Sequence, residues 1–345
     1  MGILHLRKRR KWDYSGCMIT RRLALATPFA LYATQACGAT APPICMVMNS
    51  AGANISVIDM TTRQIIATEP ALREPSHWAL TPDRQTLYIC DASGNAVFAF
   101  DPRTGAPKGR HRIADPYQLG YSPDQNYLVV NALRLNHVDV YDATTLSLVK
   151  RFHAGRMPSH LDFSPDSRWC FSSQQQSNTL FSFDMASMTP RWTVPVGHTP
   201  AGVLWLNGKL IVCIMGENGI AEIDPLDGHI TRRQQTGPGA HNVFLDEKNR
   251  ILYISNRGPG DTSLTALDPV TLEIRRRYAI PGGPDDIAIA PDGKIWIALR
   301  FAEQVAILDP VTGDYDTIDV GRSPHGIYLS TCLTQKGQVT AERLR

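Results

Sequence analysis

The sequence predicts an all-β chain folded as a seven-bladed β-propeller with four antiparallel strands per blade, and three observations carry that prediction. An apolar run ending in aspartate recurs at Asp59, Asp101, Asp142, Asp184, Asp224, Asp268 and Asp309, at intervals of 42, 41, 42, 40, 44 and 41 residues. A phrase opening on proline keeps the same period, at Pro75, Pro116, Pro158, Pro200, Pro284 and Pro324, with Ala240 holding the place between Pro200 and Pro284. Between these marks lie short alternating runs, with no long segment of helical period. Self-similarity at about 40 residues, WD40-like in length, is the sequence signature of a propeller blade.

One repeat shows the four elements. SHLDFS reads as strand A, PDSR as a tight turn, WCFSS as strand B, TLFSFD as C and RWTVPV as D, with QQQSN and MASMTP between them. The PDG and DPxTG sequences are turn chemistry. Proline presets φ, aspartate bonds its own downstream amides, and glycine takes positive φ. Near the end of the chain the phrase RSPHGIYLS supplies a strand A with no B, C or D after it. ICMVMNSAGANISVIDMTTRQIIATEP, from residue 44, supplies a B, C and D with no A. Joined, they make one composite blade, so the two ends of the chain close the ring and leave only short sheet edges.

Domain organisation follows. Residues 1–41 are read as a leader with a signal peptide, 42–330 as the propeller and 331–345 as a C-terminal tail. The leader holds seven Lys/Arg and one acid. Without it the chain carries 28 basic and 31 acidic residues, a net charge of −3, so nucleic acid is not an expected partner. Arg21 and Arg22, the apolar stretch from residue 23 to 33 and Ala39-Thr40-Ala41 read as an export signal, whose Arg pair resembles a twin-arginine signal. Met18 stands where such a signal begins. The apolar stretch is too short for a membrane span, so no span is expected in the mature protein. A periplasmic or secreted monomer is the expectation.

NYLVVN, ILYISN and TLYICD, together with the PDG and DPxTG turns, resemble the YVTN family of seven-bladed propellers over residues 42–330. The resemblance implies an exported bacterial protein, of a kind often tied to periplasmic redox or quinoprotein systems, metal handling or surface binding. Similar blades occur in haem-d1 nitrite reductase, in lactonases and in streptogramin lyases.

Strand polarity sorts the loops. The PDG and DPxTG turns share one face, and the D–A and B–C connections share the other, around the channel mouth. The second face gathers the residues with chemistry. His77, Gln118, His160, His241, Asn242, Asp285, Asp286 and His325 start inner strands, and Asn131, Asn256, Arg257 and Arg300 end B strands or follow them. His77, His160, His241, His325, Asp286, Asn131, Asn256, Arg257 and Arg300 are the candidate ligand-binding set. Converging imidazoles, carboxylates and guanidinium groups can bind an anion, hold a divalent metal or move protons. Against this stands a structural role, in which each such residue bonds the backbone of the next blade. His77 and His160 take the second place after the proline, whereas His241 and His325 take the first, so the four need not point alike.

No G-x-S-x-G elbow, CxxC or CxxCH is present, so nucleophilic catalysis and covalent c-type haem have no support. No cofactor is evident beyond a possible divalent metal. The expected function is binding of a small anionic ligand, a metal-linked cofactor or a periplasmic protein partner. A metal-assisted hydrolase or lyase using the channel-mouth histidines is the alternative, and a scaffold with no ligand is a third. Cys45 and Cys332 fall across one hairpin of the composite blade, so a disulfide between them is expected to lock the ring.

Overall fold

The computed structural model describes residues 42–331. Its strands form seven four-stranded antiparallel sheets, each running in chain order from the inner to the outer strand, with one exception. In the exception the last strand, Pro324–Leu329, pairs with the first, Ile44–Asn49, ahead of Asn54–Asp59 and Ile65–Pro70. The composite blade expected from the sequence is therefore present. Cys45, Met46 and Val47 face Leu329, Tyr328 and Ile327 across the ladder. Ser330 closes the seam, its amide donating to the Ile44 carbonyl at 2.8 Å and its Oγ accepting the Ile44 amide at 2.8 Å.

The apolar core lies between blades. Val129, Val138 and Val140 of one blade pack with Leu161, Phe163 and Phe183 of the next. Cys45, Val47 and Ile58 pack with Ala288, Trp296 and Ile307 across the closure. Cys45 is fully buried in that seam, where desolvation raises its thiol well above the ordinary value. Cys332 lies outside the described residues, and the expected bridge lies there with it.

The aspartate turns behave as their sequence dictates. Asp268 Oδ1 accepts the amides of Val270 and Thr271, each at 2.8 Å, and Asp142 Oδ1 accepts those of Thr144 and Thr145 at 3.1 and 2.8 Å. The residue four places after each marker aspartate is left-handed in all seven blades. It is glycine at Gly105, Gly228 and Gly313, but Arg63, Leu146, Met188 and Leu272 adopt the same positive φ elsewhere. On this face an outer-strand arginine also clasps the next blade's turn. Arg232 donates to the Val270 carbonyl at 2.9 Å, and Arg276 donates to the carbonyls of Pro310, Val311 and Thr312 at 2.7–2.9 Å.

The opposite face is bracketed by asparagines. Asn95, Asn136, Asn178 and Asn218 sit at the B–C connections with positive φ. Their Oδ1 atoms accept the amides of Asp115, Met157, Thr199 and Gly239 at 2.9–3.0 Å. Each acceptor thus pins the residue just before the next inner strand, and so fixes where that strand starts.

Candidate functional site

Every inner strand begins with the same irregularity. One extra residue stands opposite its B-strand partner just after the first position, as between Pro75 and Trp78, Pro158 and Leu161, and Pro284 and Ile287. In the composite blade the same shift falls where Asn49 and Val47 oppose Pro324 and Ile327. A bulge of this kind re-aims side chains and bends the strand. Residues in the first and second places after the proline can then both face the channel.

The four histidines consequently meet. His77 lies 5.2 Å from His160 and 4.5 Å from His325 between ring centroids, and His241 lies 5.1 Å from His160 and 6.2 Å from His325. They close a ring of imidazoles, all four at most 4% exposed. Their difference in position along the sequence does not separate them, because the bulge absorbs it. Gly326 helps bring two of them together. A Cβ there would meet the Ser76 carbonyl at 2.1 Å, so only glycine lets the neighbouring backbone approach where His77 and His325 touch.

Asp285 organises the centre. It is fully buried, with its Oδ1 2.6 Å from His241 Nδ1 and its Oδ2 3.8 Å from His325 Nε2. Oδ2 also accepts Arg257 Nη1 at 2.6 Å and Arg300 Nη1 at 3.1 Å. Burial alone would raise the carboxyl, but Arg257, then His241 and His325, hold it well below the usual carboxylate range. The imidazoles move the other way. Burial and the charge of Arg257 push His241 down to about 4, and burial with Arg300 and His77 pushes His325 well below its ordinary value. At neutral pH the site is therefore an ionised carboxylate between two guanidinium groups, over neutral rings at His241 and His325. His241 Nδ1 and Asp285 Oδ1 are close but out of line for a hydrogen bond.

Asp286 joins the group from the second place, accepting Asn242 Nδ2 at 2.6 Å and standing 4.0 Å from His77 Nε2. Tyr117 completes the wall, its ring 4.8 Å from His77 and 5.7 Å from His325. Burial raises its phenol to about 12.

Seven of the nine candidate residues thus come together: His77, His160, His241, His325, Asp286, Arg257 and Arg300. Asn131 and Asn256 do not join them. Asn131 Oδ1 accepts Ser172 Oγ of the next blade at 2.9 Å. Asn256 accepts Thr236 Oγ1 at 2.9 Å and donates to Thr265 Oγ1 at 3.0 Å. Both are buried braces between strands, the structural role weighed in the sequence. The same role explains part of His77, whose Nδ1 lies 2.9 Å from the Tyr117 carbonyl, and Gln118, whose Oε1 accepts the Leu161 amide at 2.7 Å. In the sequence Asp285 stands out as a strand-start carboxylate but falls outside the candidate set, and Tyr117 does not stand out at all. The available signal was positional. Both occupy the first place after the proline, the column that also holds His241 and His325.

The family description YNCE-like beta-propeller matches residues 8–333. The chain belongs to the YNCE-like β-propeller family. No curated protein sequence matches it. Among solved structures it is similar to the periplasmic gluconolactonase PpgL of Pseudomonas aeruginosa, at 19% identity and a TM-score of 0.69 over 83% of this chain and 98% of that one. It is similar to the hydrazine synthase of Kuenenia stuttgartiensis, at 19% identity and a TM-score of 0.65 over 73% and 88%. It also resembles the dihydro-heme d1 dehydrogenase NirN in complex with DHE, at 16% identity and a TM-score of 0.63 over 84% and 75%. At such identities these likenesses carry the fold. Within the YNCE-like family, this chain's imidazole ring and its Asp285 hub mark the channel mouth as the candidate site.

Proposed function

We propose that this YNCE-like propeller binds a small anionic ligand, such as a carboxylate or phosphate compound, at the channel mouth. The observation that carries the reading is the convergence of Arg257 and Arg300, from two different blades, on one oxygen of Asp285. Their side chains remain 18% and 22% exposed, so N–H donors beyond those given to Asp285 reach the mouth. The buried carboxylate holds the two guanidinium groups in place before any ligand arrives, which lowers the cost of ordering them on binding. A periplasmic protein bearing an acidic terminus is the other occupant this geometry suits.

Calorimetric titration with phosphate, citrate and gluconate tests the reading. The wild type is expected to bind at least one of them, and Arg300→Ala to weaken that binding about tenfold or more with the unfolding midpoint nearly kept. Equal binding by the wild type and the variant overturns it.

A second reading, metal-assisted hydrolysis, draws on the grouping of His241, Asp285 and His325. Likeness in fold to a periplasmic gluconolactonase makes lactones the first substrates to try. Turnover of a lactone that a chelator abolishes would favour it over simple binding.

The protein acts, on our reading, as an exported periplasmic monomer. Among the described residues no helix is long and apolar enough to cross a membrane. A chain beginning at Met18 is expected to be exported as well as the full chain, and a requirement for residues 1–17 would refute that start.

A further inference from the structure

We propose that His241, Asp285 and His325 are the coordination set for one divalent first-row transition-metal ion at the floor of the channel mouth. Each offers one donor atom, and the three donors lie within 4.8 Å of one another on three fully or almost fully buried residues. His241 comes from the strand Ala240–Asp246, Asp285 from Pro284–Ile289 and His325 from Pro324–Leu329, so three inner strands of three blades bring them together. Ring closure holds the spacing without any loop having to order.

The second observation is a deficit of hydrogen bonds. His241 Nδ1 and Nε2, His325 Nε2 and Asp285 Oδ1 are buried and make none. Leaving such an atom unpaired forfeits its desolvation without return, and folded proteins rarely leave several in one place. Within this trio each residue keeps at least one such atom, on three residues whose donors lie within 4.8 Å of one another.

Asp285 divides its two oxygens in the way a metal ligand does. Oδ2 is taken by Arg257 and Arg300, while Oδ1 is left toward His241. Hydrogen bonds to the outer oxygen orient a ligating carboxylate and hold it to one donor atom, as outer partners of a metal ligand commonly do. Two imidazole nitrogens with one carboxylate oxygen suit Zn²⁺, Co²⁺, Ni²⁺ or Fe²⁺. They do not suit Mg²⁺ or Ca²⁺, which take oxygen ligands. Three protein donors would leave a further coordination position for a ligand from outside the chain. A dication beside two arginines adds positive charge, and an anionic ligand in the open position would balance it. The metal site does not depend on that ligand, whereas the hydrolytic alternative does depend on the metal.

The test uses the full chain, purified without chelators, then stripped and titrated with Zn²⁺ alone in a non-coordinating buffer. The expected result is one Zn²⁺ per chain, with X-ray absorption at the zinc edge counting two imidazole ligands. His241→Gln and His325→Gln should each weaken Zn²⁺ by more than the ~10–100-fold that loss of an outer partner costs. His198→Gln, on the same face but exposed, should bind as the wild type does. No stoichiometric Zn²⁺, an absorption spectrum without imidazole, or glutamine variants equal to the wild type would each overturn the proposal. The absorption measurement needs only the wild type, so it decides the matter even where a variant fails to fold. Anion titrations run on the stripped chain separate failure of this site from failure of the arginine site.

Discussion

The two ends of the channel are built from the same seven repeats and use polar groups in opposite ways. At the turn end the marker aspartates serve their own blades, and Asp142, Asp268 and Asp309 each accept amides two and three residues downstream. At the other end the first and second places after the proline differ from blade to blade, and His77, His160, His241 and Asp285, from four blades, meet one another there. Repetition marks a local structural task, because a turn needs the same bonds in every blade. Departure from repetition marks a place where blades cooperate. Backbone strain does not distinguish the ends, since positive φ occurs at Leu146 and Met188 on one and at Asp115 and Met157 on the other.

The comparison breaks most visibly at Asp285. Asp285→Ala leaves Arg257, Arg300 and two buried imidazoles around a missing carboxylate, and removing one partner of a buried pair costs about 3–5 kcal/mol. Urea unfolding should show a loss of that order together with loss of anion binding. A change below about 1 kcal/mol would mean that Asp285 is no hub.

Acid should also act on the site end first. His241 is held at about 4 in the folded chain, against ~6.5 when unfolded. The unfolded chain therefore binds the extra proton more readily between those values. The stability from this neutral ring is complete above pH ~6.5 and is lost as pH falls toward 4, about 3 kcal/mol in all. His325 is shifted in the same direction and steepens the fall. Thermal unfolding of metal-free protein across that range should show the slope, and His241→Asn should flatten it. An unchanged slope would remove His241 as its source.

The turn end should give a smaller and purely structural effect. Gly105 has φ +72°, and a Cβ there would meet Val57 Cγ1 at 2.9 Å. Gly105→Ala is expected to cost about 1–2 kcal/mol, the usual penalty for a left-handed alanine, and to leave anion and Zn²⁺ titrations unchanged. An effect on either titration would show that the two ends are coupled and dissolve the contrast.

Much of this was legible in the chain itself. Seven blades, the four-strand unit, the composite blade and the face on which the candidate residues gather all follow from spacing and turn residues. These are short-range properties, since a Pro-Asp-Gly turn or an alternating strand is set by neighbours in sequence and repeats wherever they do. Tertiary structure decided which polar residues meet. Asn131 and Asn256 look like site residues in sequence, yet they brace strands, because their side chains face the interior of the blade stack. Asp285, one residue from the chosen Asp286, proved to be the hub. The physical reason is the one-residue bulge at the start of each inner strand. It lets two successive side chains both face the channel, and its effect appears only when ring closure sets strands tens or hundreds of residues apart side by side.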